Sequence, residues 1–409
     1  MNGYARARLT PSIACSISAP TRPNGWPLNG PGRTRLNVTD WAAYRARFPG
    51  LSGIAHLNAA SNSPLSLGAA AAGKRYFDEI LEGGAFHRDG WLEQVEDTRR
   101  AVARLLNAEP GEIAFVQSSS SGMNMIARMM AAPGDHILSA AGEFPSVTLP
   151  WLNRDVDIGY LEPAADGTLD LAHAGALLRP NSVAFAASSV QYNSGYRYDL
   201  DALGAFCGSH DLALAVDATQ SFGVQPLDVK RAKVDALVFS IYKWVAAGYG
   251  VAVLYLSQRL LASAPPPVVG WNSARVPYDL VYDRLDLRRD ASVVEGGNPL
   301  FPGIITLGAA LSLIEEIGVE TIAARCAELT DYLRGRLDAA GYAIASPTDP
   351  AHGSAITLVV MDDADGVAAR LAERRVYTSA RGGKLRLSLH YYNNEDDIDR
   401  LLAALGACG

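Results

Sequence analysis

One lysine in this sequence lies where its side-chain amine could act as a nucleophile. The sequence contains five lysines, and four of them have other charged residues nearby: Lys74, Lys230, Lys233 and Lys384. Lys243 lies instead in the apolar run VFSIYKWVAAG, where burial would lower the pKa of its amine and make it nucleophilic. The alternative is a lysine whose stem packs on a strand end while its amine reaches solvent.

Two other polar groups follow apolar segments of the chain. Asp217 ends the segment LALAVDA, and serines occupy 118–121 between a predicted strand and a predicted helix. Free N–H groups at a helix N-terminus favour an anion such as a phosphate. An amine, a buried carboxylate and such a helix are three parts of a pyridoxal-phosphate site: the amine forms a Schiff base, the carboxylate keeps the pyridine nitrogen protonated, and the helix holds the phosphate. Taken singly, Asp217 could form an Asx turn and the serines could be a plain helix cap.

An α/β sheet is predicted to position these groups. The apolar strand candidates are 136–140, 182–190, 212–218, 236–241 and 250–256, and helical or loop segments separate most of them. Nearly continuous apolar strands of this kind are typical of a parallel sheet covered on both faces. Ligands bind such sheets at the carboxyl ends of the strands, where Asp217 and Lys243 are expected.

Four regions are predicted along the chain. Residues 1–38 are expected to form a flexible arm and 39–66 a segment that contributes to a small domain; 67–303 would form the large cofactor-binding domain. Residues 304–409 would form a small C-terminal α+β domain that begins with a linking helix. The last predicted helix opens with NNEDDID, an acidic first turn that suits the helix dipole.

Composition excludes several classes of protein. The chain has 409 residues with 43 acidic and 36 basic side chains, a net charge of −7, so nucleic acid is not an expected partner. Its four cysteines are far apart, which excludes a disulfide scaffold and a cysteine-rich zinc site and fits a reducing compartment. The uncharged stretches 48–73 and 296–314 contain Gly, Pro and Asn and do not suit a membrane span. A cytoplasmic protein without a bound metal is expected.

Five segments resemble one enzyme family. They are HLNAASNSPL, FVQSSSSGMNMIA, AGEFPSVTLPW, AVDATQSFGVQPLDVKRAKVDALVFSIYKW and LRLSLHYYNNEDDIDRL. With them the chain, from about Leu57 to Leu405, resembles the class V aminotransferases of the fold-type I pyridoxal-phosphate enzymes. Cysteine desulfurases, isopenicillin N epimerase and kynureninase are relatives. The resemblance implies an α/β fold: a large domain with a mostly parallel sheet covered by helices, and a small C-terminal α+β domain.

The resemblance also implies roles at the cofactor ring. Lys243 would hold pyridoxal 5'-phosphate as a Schiff base and move the proton at the substrate α-carbon. Asp217 would pair with the pyridinium nitrogen, and Gln220 would donate a hydrogen bond to the ring 3-oxygen. Phe144, in GEFPS, occupies the place of the residue that stacks on the ring, although a plain core role is the alternative.

The family's phosphate-binding positions match hydroxyl-bearing residues of this chain. The residues expected to bind the phosphate are Ser119, Ser120, Ser240 and Tyr242. Asn298, in EGGNP, matches a position that reaches the phosphate of the partner subunit, so a homodimer with shared active sites is expected. Turn chemistry beside Gly296 and Gly297 is the alternative role for Asn298.

Substrate binding is expected from the C-terminal region and one loop. Arg386 would bind the α-carboxylate of a small amino acid with both guanidinium nitrogens, or could instead form a surface salt bridge. Either Gln191 or Asn193 would lie near the same carboxylate, and the local register leaves both open. Arg381 would bind a distal carboxylate or face solvent.

The reaction is less constrained than the cofactor. Cysteine desulfurases carry a catalytic cysteine on the loop that is RRVYTSARGGKL (374–385) here, and this loop has no cysteine. Without a thiolate, a protein persulfide cannot form. Amino-group transfer is therefore the expected reaction. A lyase that needs no protein thiol, an epimerase, and a catalytically silent binding protein are the alternatives.

Overall fold

The computed structural model describes residues 39–164 and 168–407. The predicted arm, 1–38, lies outside the described residues. The helices are α1 (Trp41–Ala46), α2 (Leu67–Gly83), α3 (Arg88–Leu106), α4 (Ser119–Met130), α5 (Pro145–Leu152), α6 (Leu171–Ala176), α7 (Leu200–Ser209), α8 (Gln258–Ser263), α9 (Phe301–Ile317), α10 (Val319–Ala339), α11 (Ala364–Glu373) and α12 (Glu395–Gly406). The strands are β1 (Ala55–His56), β2 (Ile113–Val116), β3 (His136–Ala140), β4 (Asp157–Leu161), β5 (Ser182–Ser188), β6 (Ala213–Asp217), β7 (Ala236–Ser240), β8 (Ala252–Leu256), β9 (Ile356–Val360), β10 (Val376–Tyr377), β11 (Ser379–Arg381) and β12 (Lys384–Ser388).

A seven-stranded sheet with the order β2-β8-β7-β6-β5-β3-β4 forms the centre of the protein. The strands from β4 to β7 pair in parallel. Alternate side chains of each strand pack on opposite faces: Phe239 belongs to one apolar cluster and Val238 to the other. Because both faces are covered, the inner strands are apolar along most of their length. The predicted α/β fold with a mostly parallel sheet is thus confirmed.

Strand β8 is the exception to parallel pairing. It runs antiparallel to β7, and β2 runs antiparallel to β8. The connection from β7 to β8, residues 241–251, contains no helix and is too short for the crossover that a parallel neighbour needs. The chain therefore reverses directly, and Lys243 lies within this reversal.

The C-terminal region builds a separate sheet. Strands β11, β12 and β9 form an antiparallel sheet, and β1 pairs in parallel with β10. From Trp41 onwards, the described residues form one compact unit. The domain boundaries at 66/67 and 303/304 therefore stay predictions.

No single helix among the described residues is long and apolar enough to cross a membrane. Only α9 and α10 taken together pass by length and composition, and they are bent by 77°. Within 39–164 and 168–407, no group of three or more His, Cys, Asp or Glu side chains is placed to hold a metal ion.

Candidate active site

Several polar residues singled out in the sequence lie at or just after the carboxyl ends of β5, β6 and β7, namely Gln191, Asp217, Ser240 and Lys243. Thr219 joins two of these strand ends. Its backbone N–H donates to Oδ1 of Asp217 at 2.8 Å, and its Oγ1 accepts from the N–H of Ser240 at 3.1 Å. Lys243 follows Ser240 by three residues, so these two hydrogen bonds hold the carboxylate of Asp217 close to the segment that carries the lysine.

Burial makes the amine of Lys243 reactive. Its side chain is 9% exposed, and desolvation lowers its pKa to about 8, although the carboxylate of Asp217 opposes this shift. The Nζ atom lies 5.8 Å from the ring centroid of Phe144 and 5.6 Å from that of Tyr242. A desolvated lysine beside one carboxylate keeps a substantial neutral fraction near neutral pH and can attack a carbonyl carbon.

Two buried carboxylates lie at this edge of the sheet. Burial raises the pKa of Asp217, whereas its hydrogen bonds from Thr219 and the charge of Lys243 lower it. Glu143 accepts from the N–H and Oγ of Ser188 at 2.8 and 2.5 Å, and Ser188 pairs with Asp217 between β5 and β6. Burial raises the pKa of Glu143 to about 7, and the charge of Asp217 acts in the same direction.

Hydroxyl groups surround the N-terminus of α4. Ser118 caps the helix by accepting from the N–H of Ser121. The Oγ atoms of Ser119 and Ser240 lie 2.9 Å apart, and the exposed Ser120 contacts Ser146 at 2.7 Å. Free N–H groups, the helix dipole and these hydroxyls together form a suitable cradle for a phosphate. The fourth expected ligand, Tyr242, is half-buried and stacks on Tyr249 with ring centroids 4.3 Å apart.

Close packing on the sheet holds this helix N-terminus in place. A Cβ atom at Gly122 would lie 2.7 Å from Cγ2 of Val238. Glycine therefore lets the first turn of α4 approach β7 closely, which places Ser119 next to Ser240.

Arg386 is buried without a carboxylate partner among the described residues. It is 2% exposed, and its guanidinium donates to Oγ of Ser61 at 2.7 Å, the carbonyl of Tyr192 at 3.0 Å and Oγ of Ser379 at 3.2 Å. Desolvation lowers its pKa to about 10. Because Tyr192 packs edge-on against Phe144 at 5.3 Å, this uncompensated cation lies near the amine of Lys243, where it can attract an anion.

Three of the four predicted amide ligands, Gln220, Gln191 and Asn193, form hydrogen bonds with other residues of the protein. Gln220 accepts from Nε1 of Trp244 at 2.8 Å and donates to the carbonyl of Ala60 at 3.1 Å, which leaves its second N–H for a ring oxygen. Gln191 is buried and donates to Oη of Tyr198 at 3.1 Å, while its Oε1 has no hydrogen-bond partner. Asn193 donates to the carbonyl of Gly142 at 3.0 Å.

Two predicted site residues are exposed. Arg381 lies on the β11–β12 hairpin and donates to its own neighbour, the carbonyl of Ala380, at 2.6 Å. Asn298 accepts from both Nη atoms of Arg88 at 3.2 Å. No hydrogen bond between described residues joins Asn298 to the cluster around Lys243, so its predicted role toward a partner subunit stays a prediction.

Comparison with known proteins identifies the family. The model of the family "Aminotransferase class-V" matches residues 84–401. The chain belongs to the class-V aminotransferase family. It is 28% identical to the uncharacterized aminotransferase YcbU of Bacillus subtilis, over 89% of this chain and 97% of that protein. It is 26% identical to a probable cysteine desulfurase of Pyrococcus abyssi, over 76% of this chain and 82% of that protein.

Solved structures show the same fold. The apo cysteine desulfurase of Thermococcus onnurineus superimposes with a TM-score of 0.82 at 21% identity, covering 90% of this chain and 97% of that one. A lysine-to-alanine mutant of C-DES, with glycine covalently linked to its pyridoxal-phosphate cofactor, superimposes with a TM-score of 0.81 at 23% identity. It covers 88% of this chain and 98% of that one.

The class-V aminotransferase family uses pyridoxal 5'-phosphate, and this chain is a pyridoxal-phosphate-dependent enzyme. Its donor groups fit that cofactor. A desolvated amine, a buried carboxylate next to it and hydroxyls at a helix N-terminus match an aldehyde, a pyridine nitrogen and a phosphate. Phe144 is 42% exposed, so its ring is accessible to a planar ligand.

Four residues of the site were missed by reasoning from the sequence. Glu143 is the second buried carboxylate, Ser188 and Thr219 donate hydrogen bonds to the two carboxylates, and Ser61 accepts from Arg386. The local sequence did indicate Glu143. It is a lone acid among small residues just after the apolar strand β3, and an acid buried there must be held by hydrogen bonds. Ser61 lies in HLNAASNSPL, but nothing local shows that it meets a residue 325 positions away.

Proposed function

We propose that the protein transfers the amino group of a small amino acid to the cofactor and then to a keto acid. The observation that supports this most is the desolvated amine of Lys243, whose pKa is shifted by the charges of both the buried Asp217 and the uncompensated Arg386. These groups match the amine, the ring nitrogen and the α-carboxylate that such a reaction must bind.

The protein residues have separate roles in this proposal. When bound, pyridoxal phosphate supplies a ring that accepts the electron pair left at the substrate α-carbon. Lys243 Nζ moves the proton at that carbon, since its pKa near 8 suits both proton uptake and release. Asp217 holds the proton on the ring nitrogen, Arg386 orients the α-carboxylate, and Phe144 covers the ring and excludes water.

The described cysteines support a reaction that needs no protein thiol. Cys207 and Cys326 are both buried, and desolvation raises the pKa of each to about 12. A buried thiol of this kind is not a nucleophile. A relative named as an aminotransferase aligns over 89% of this chain and one named as a probable cysteine desulfurase over 76%, so the case for amino-group transfer depends on the thiols.

Carbon–sulfur lyase activity is the second candidate. A structure titled as the cystine C–S lyase C-DES with its product cysteine persulfide shares the fold, with a TM-score of 0.80 at 23% identity. Elimination of a β-substituent uses the same amine and the same cofactor, so the residues around Lys243 suit this reaction too.

A single turnover without keto acid separates the two reactions. Holoprotein mixed with one equivalent of amino acid should lose the aldehyde form of the cofactor and gain the pyridoxamine form, together with one equivalent of keto acid. A lyase would instead release ammonia and keto acid while the cofactor keeps its aldehyde form. That second outcome would exclude the transferase proposal.

We also propose a cytoplasmic homodimer with shared active sites. Large apolar side chains are exposed close to Arg88, the hydrogen-bond partner of Asn298. Phe86, two residues before Arg88, is 90% exposed, and Tyr278 is 64% exposed. Arg88 joins Asn298 to Tyr278, with a hydrogen bond of 2.7 Å to the tyrosine hydroxyl. Exposed apolar side chains in such a group are typical of a surface that a second subunit covers.

A further inference from the structure

We propose that the substrate carries a second anionic group, which binds a cationic face of the β11–β12 hairpin formed by Arg381, Lys384 and Arg386. The inference rests on the proposed function in one respect, since it takes the ligand to be an amino acid whose α-carboxylate meets Arg386. It adds a substrate class: amino acids with an acidic side chain.

The strand register places the three cations on one face. Ser379 pairs with Arg386 and Arg381 pairs with Lys384 across the antiparallel strands. Paired residues point to the same side of a sheet, and so do residues two positions apart in a strand. Arg386 reaches Ser61 and the carbonyl of Tyr192 from this face, so the face is turned toward the cluster around Lys243.

The hairpin turn fixes this arrangement. Gly382 and Gly383 connect the strands with φ values of 56° and 72°, which is the left-handed region that a two-residue hairpin turn requires. The cations therefore lie on paired strands and not on an irregular loop. Arg381 is exposed, Lys384 is half-buried and Arg386 is buried, so positive charge extends from the surface into the site.

No carboxylate among the described residues pairs with any of these three side chains. Two other arginines of the described residues differ: the buried Arg99 pairs with Glu295 and the half-buried Arg45 pairs with Asp397. The charge of Arg381 lowers the pKa of both Arg386 and Lys243, because like charges on neighbouring groups repel one another. An anion bound between them would remove this repulsion.

A single substrate carboxylate cannot pair with all three cations of this face. The α-carboxylate would pair with Arg386, and the cofactor phosphate is expected at the hydroxyls of Ser119 and Ser240, next to α4. Arg381 and Lys384 would then remain without a counter-charge. A substrate with an uncharged side chain leaves them unpaired, whereas a side-chain carboxylate can accept charge-assisted hydrogen bonds from them.

The test compares acidic amino acids with their amides, which have nearly the same shape. Holoprotein would be titrated with L-glutamate, L-glutamine, L-aspartate and L-asparagine, and affinities measured by calorimetry and by the absorbance of the cofactor. The variants are Arg381→Gln, Lys384→Gln and, as a matched control, Arg374→Gln. Arg374 is also exposed and also donates to a backbone carbonyl, that of Arg370, but it lies at the end of α11.

We expect the wild type to bind L-glutamate or L-aspartate at least about tenfold more tightly than the corresponding amide. Arg381→Gln should reduce this ratio by about tenfold and leave the affinity for the amide unchanged, and raising the salt concentration should reduce the ratio as well. Lys384→Gln should reduce it in the same direction, and Arg374→Gln should retain the wild-type ratio.

Equal binding of acid and amide by the wild type would overturn the inference. An Arg381→Gln variant that loses affinity for the acid and the amide equally would also overturn it. The same holds if Arg374→Gln reduces the acid-to-amide ratio as much as Arg381→Gln does. Calorimetry keeps this result separate from the proposed reaction. If the pyridoxamine form never appears but the acid-to-amide ratio behaves as described, amino-group transfer fails and the anionic subsite stands.

Discussion

The reactivity of Lys243 depends on the removal of its amine from water. The ordinary pKa of a lysine is 10.5, and burial lowers that of Lys243 to about 8. At pH 7 the neutral fraction of the amine therefore rises from about 0.03% to about 9%. The sequence suggested this change, because Lys243 lies in an apolar run and the other lysines do not.

The rate of cofactor uptake should report this pKa. Only the neutral amine attacks an aldehyde, so the rate at which the cofactor-free protein takes up pyridoxal phosphate should rise with pH and level off above about 8. Stopped-flow absorbance at a series of pH values measures this rate. A rate that keeps rising until pH 10 or above would show an amine with an ordinary pKa, and the burial argument would be wrong.

Glu143 should give the protein a measurable pH dependence of stability. Its pKa is raised from 4.5 to about 7, so the folded chain holds a proton that the unfolded chain has lost between these pH values. Stability should therefore fall as the pH rises from about 4.5 to about 7, by about 3 kcal/mol for this group alone, and stay level above that range.

Glu143→Gln should remove this contribution. Urea unfolding at pH 5 and pH 8 gives the change in the free energy of unfolding with pH for the cofactor-free wild type and for the variant. Subtracting the variant's change from that of the wild type cancels the contribution of the other titrating groups. An identical pH dependence in both proteins would show that the carboxyl of Glu143 titrates normally.

At the scale of elements, helix α4 connects the sheet to the predicted phosphate site. Its first turn approaches β7 so closely that Gly122 has no room for a Cβ atom. The sequence predicted a helix with serines at its start but could not show that a glycine inside it sets the distance to Ser240. Such a contact depends on two segments that are more than one hundred residues apart.

Gly122→Ala should weaken cofactor binding and lower stability. The new methyl group would meet Val238 at 2.7 Å, and overpacking of this kind costs about 1–3 kcal/mol. Gly90→Ala is the matched control, because Gly90 lies inside α3 with nothing within 4 Å of its Cβ position, and alanine there should stabilise the helix by up to about 1 kcal/mol. Fluorescence titration with pyridoxal phosphate and urea unfolding measure both effects. Similar behaviour of the two variants would contradict this account of α4.

The buried strands were the most predictable elements. The segment 136–140 was predicted with its observed bounds, and the neighbouring strands β5, β6, β7 and β8 differ by one or two residues at their ends. These strands lie in the core, where most positions require apolar residues. In contrast, β4 was missed because its edge position exposes Asp157 and Tyr160, and β10 and β11 are too short for a periodic pattern.

A second limit concerns helix α2. The helical pattern from 67 to 106 is interrupted between Gly83 and Arg88, so the chain forms two helices, α2 and α3. Gly84 adopts a φ of 59°, a conformation that ends a helix. Both helices pack against α9, a contact that no local sequence pattern shows.

At the scale of the whole molecule, the active site is proposed to need a second copy of the chain. Phe86, which is 90% exposed, lies two residues before Arg88, the partner of Asn298. Phe86→Asp should weaken dimerisation, because it would place a charge in the apolar surface, and should lower activity in parallel. Tyr160→Asp, at an exposed position of the edge strand β4 (42%), is the control and should remain a dimer. Light scattering gives the mass, and full activity of a monomeric variant would exclude a shared site.

The central claim is that the amine of Lys243 binds the cofactor covalently. The holoprotein would be reduced with borohydride and digested, and the peptides analysed by mass spectrometry. The account predicts one pyridoxyl group, on the peptide that contains Lys243, and none in Lys243→Ala. A pyridoxyl group on Lys74, Lys230, Lys233 or Lys384 in the wild type, or an unchanged adduct in Lys243→Ala, would contradict it.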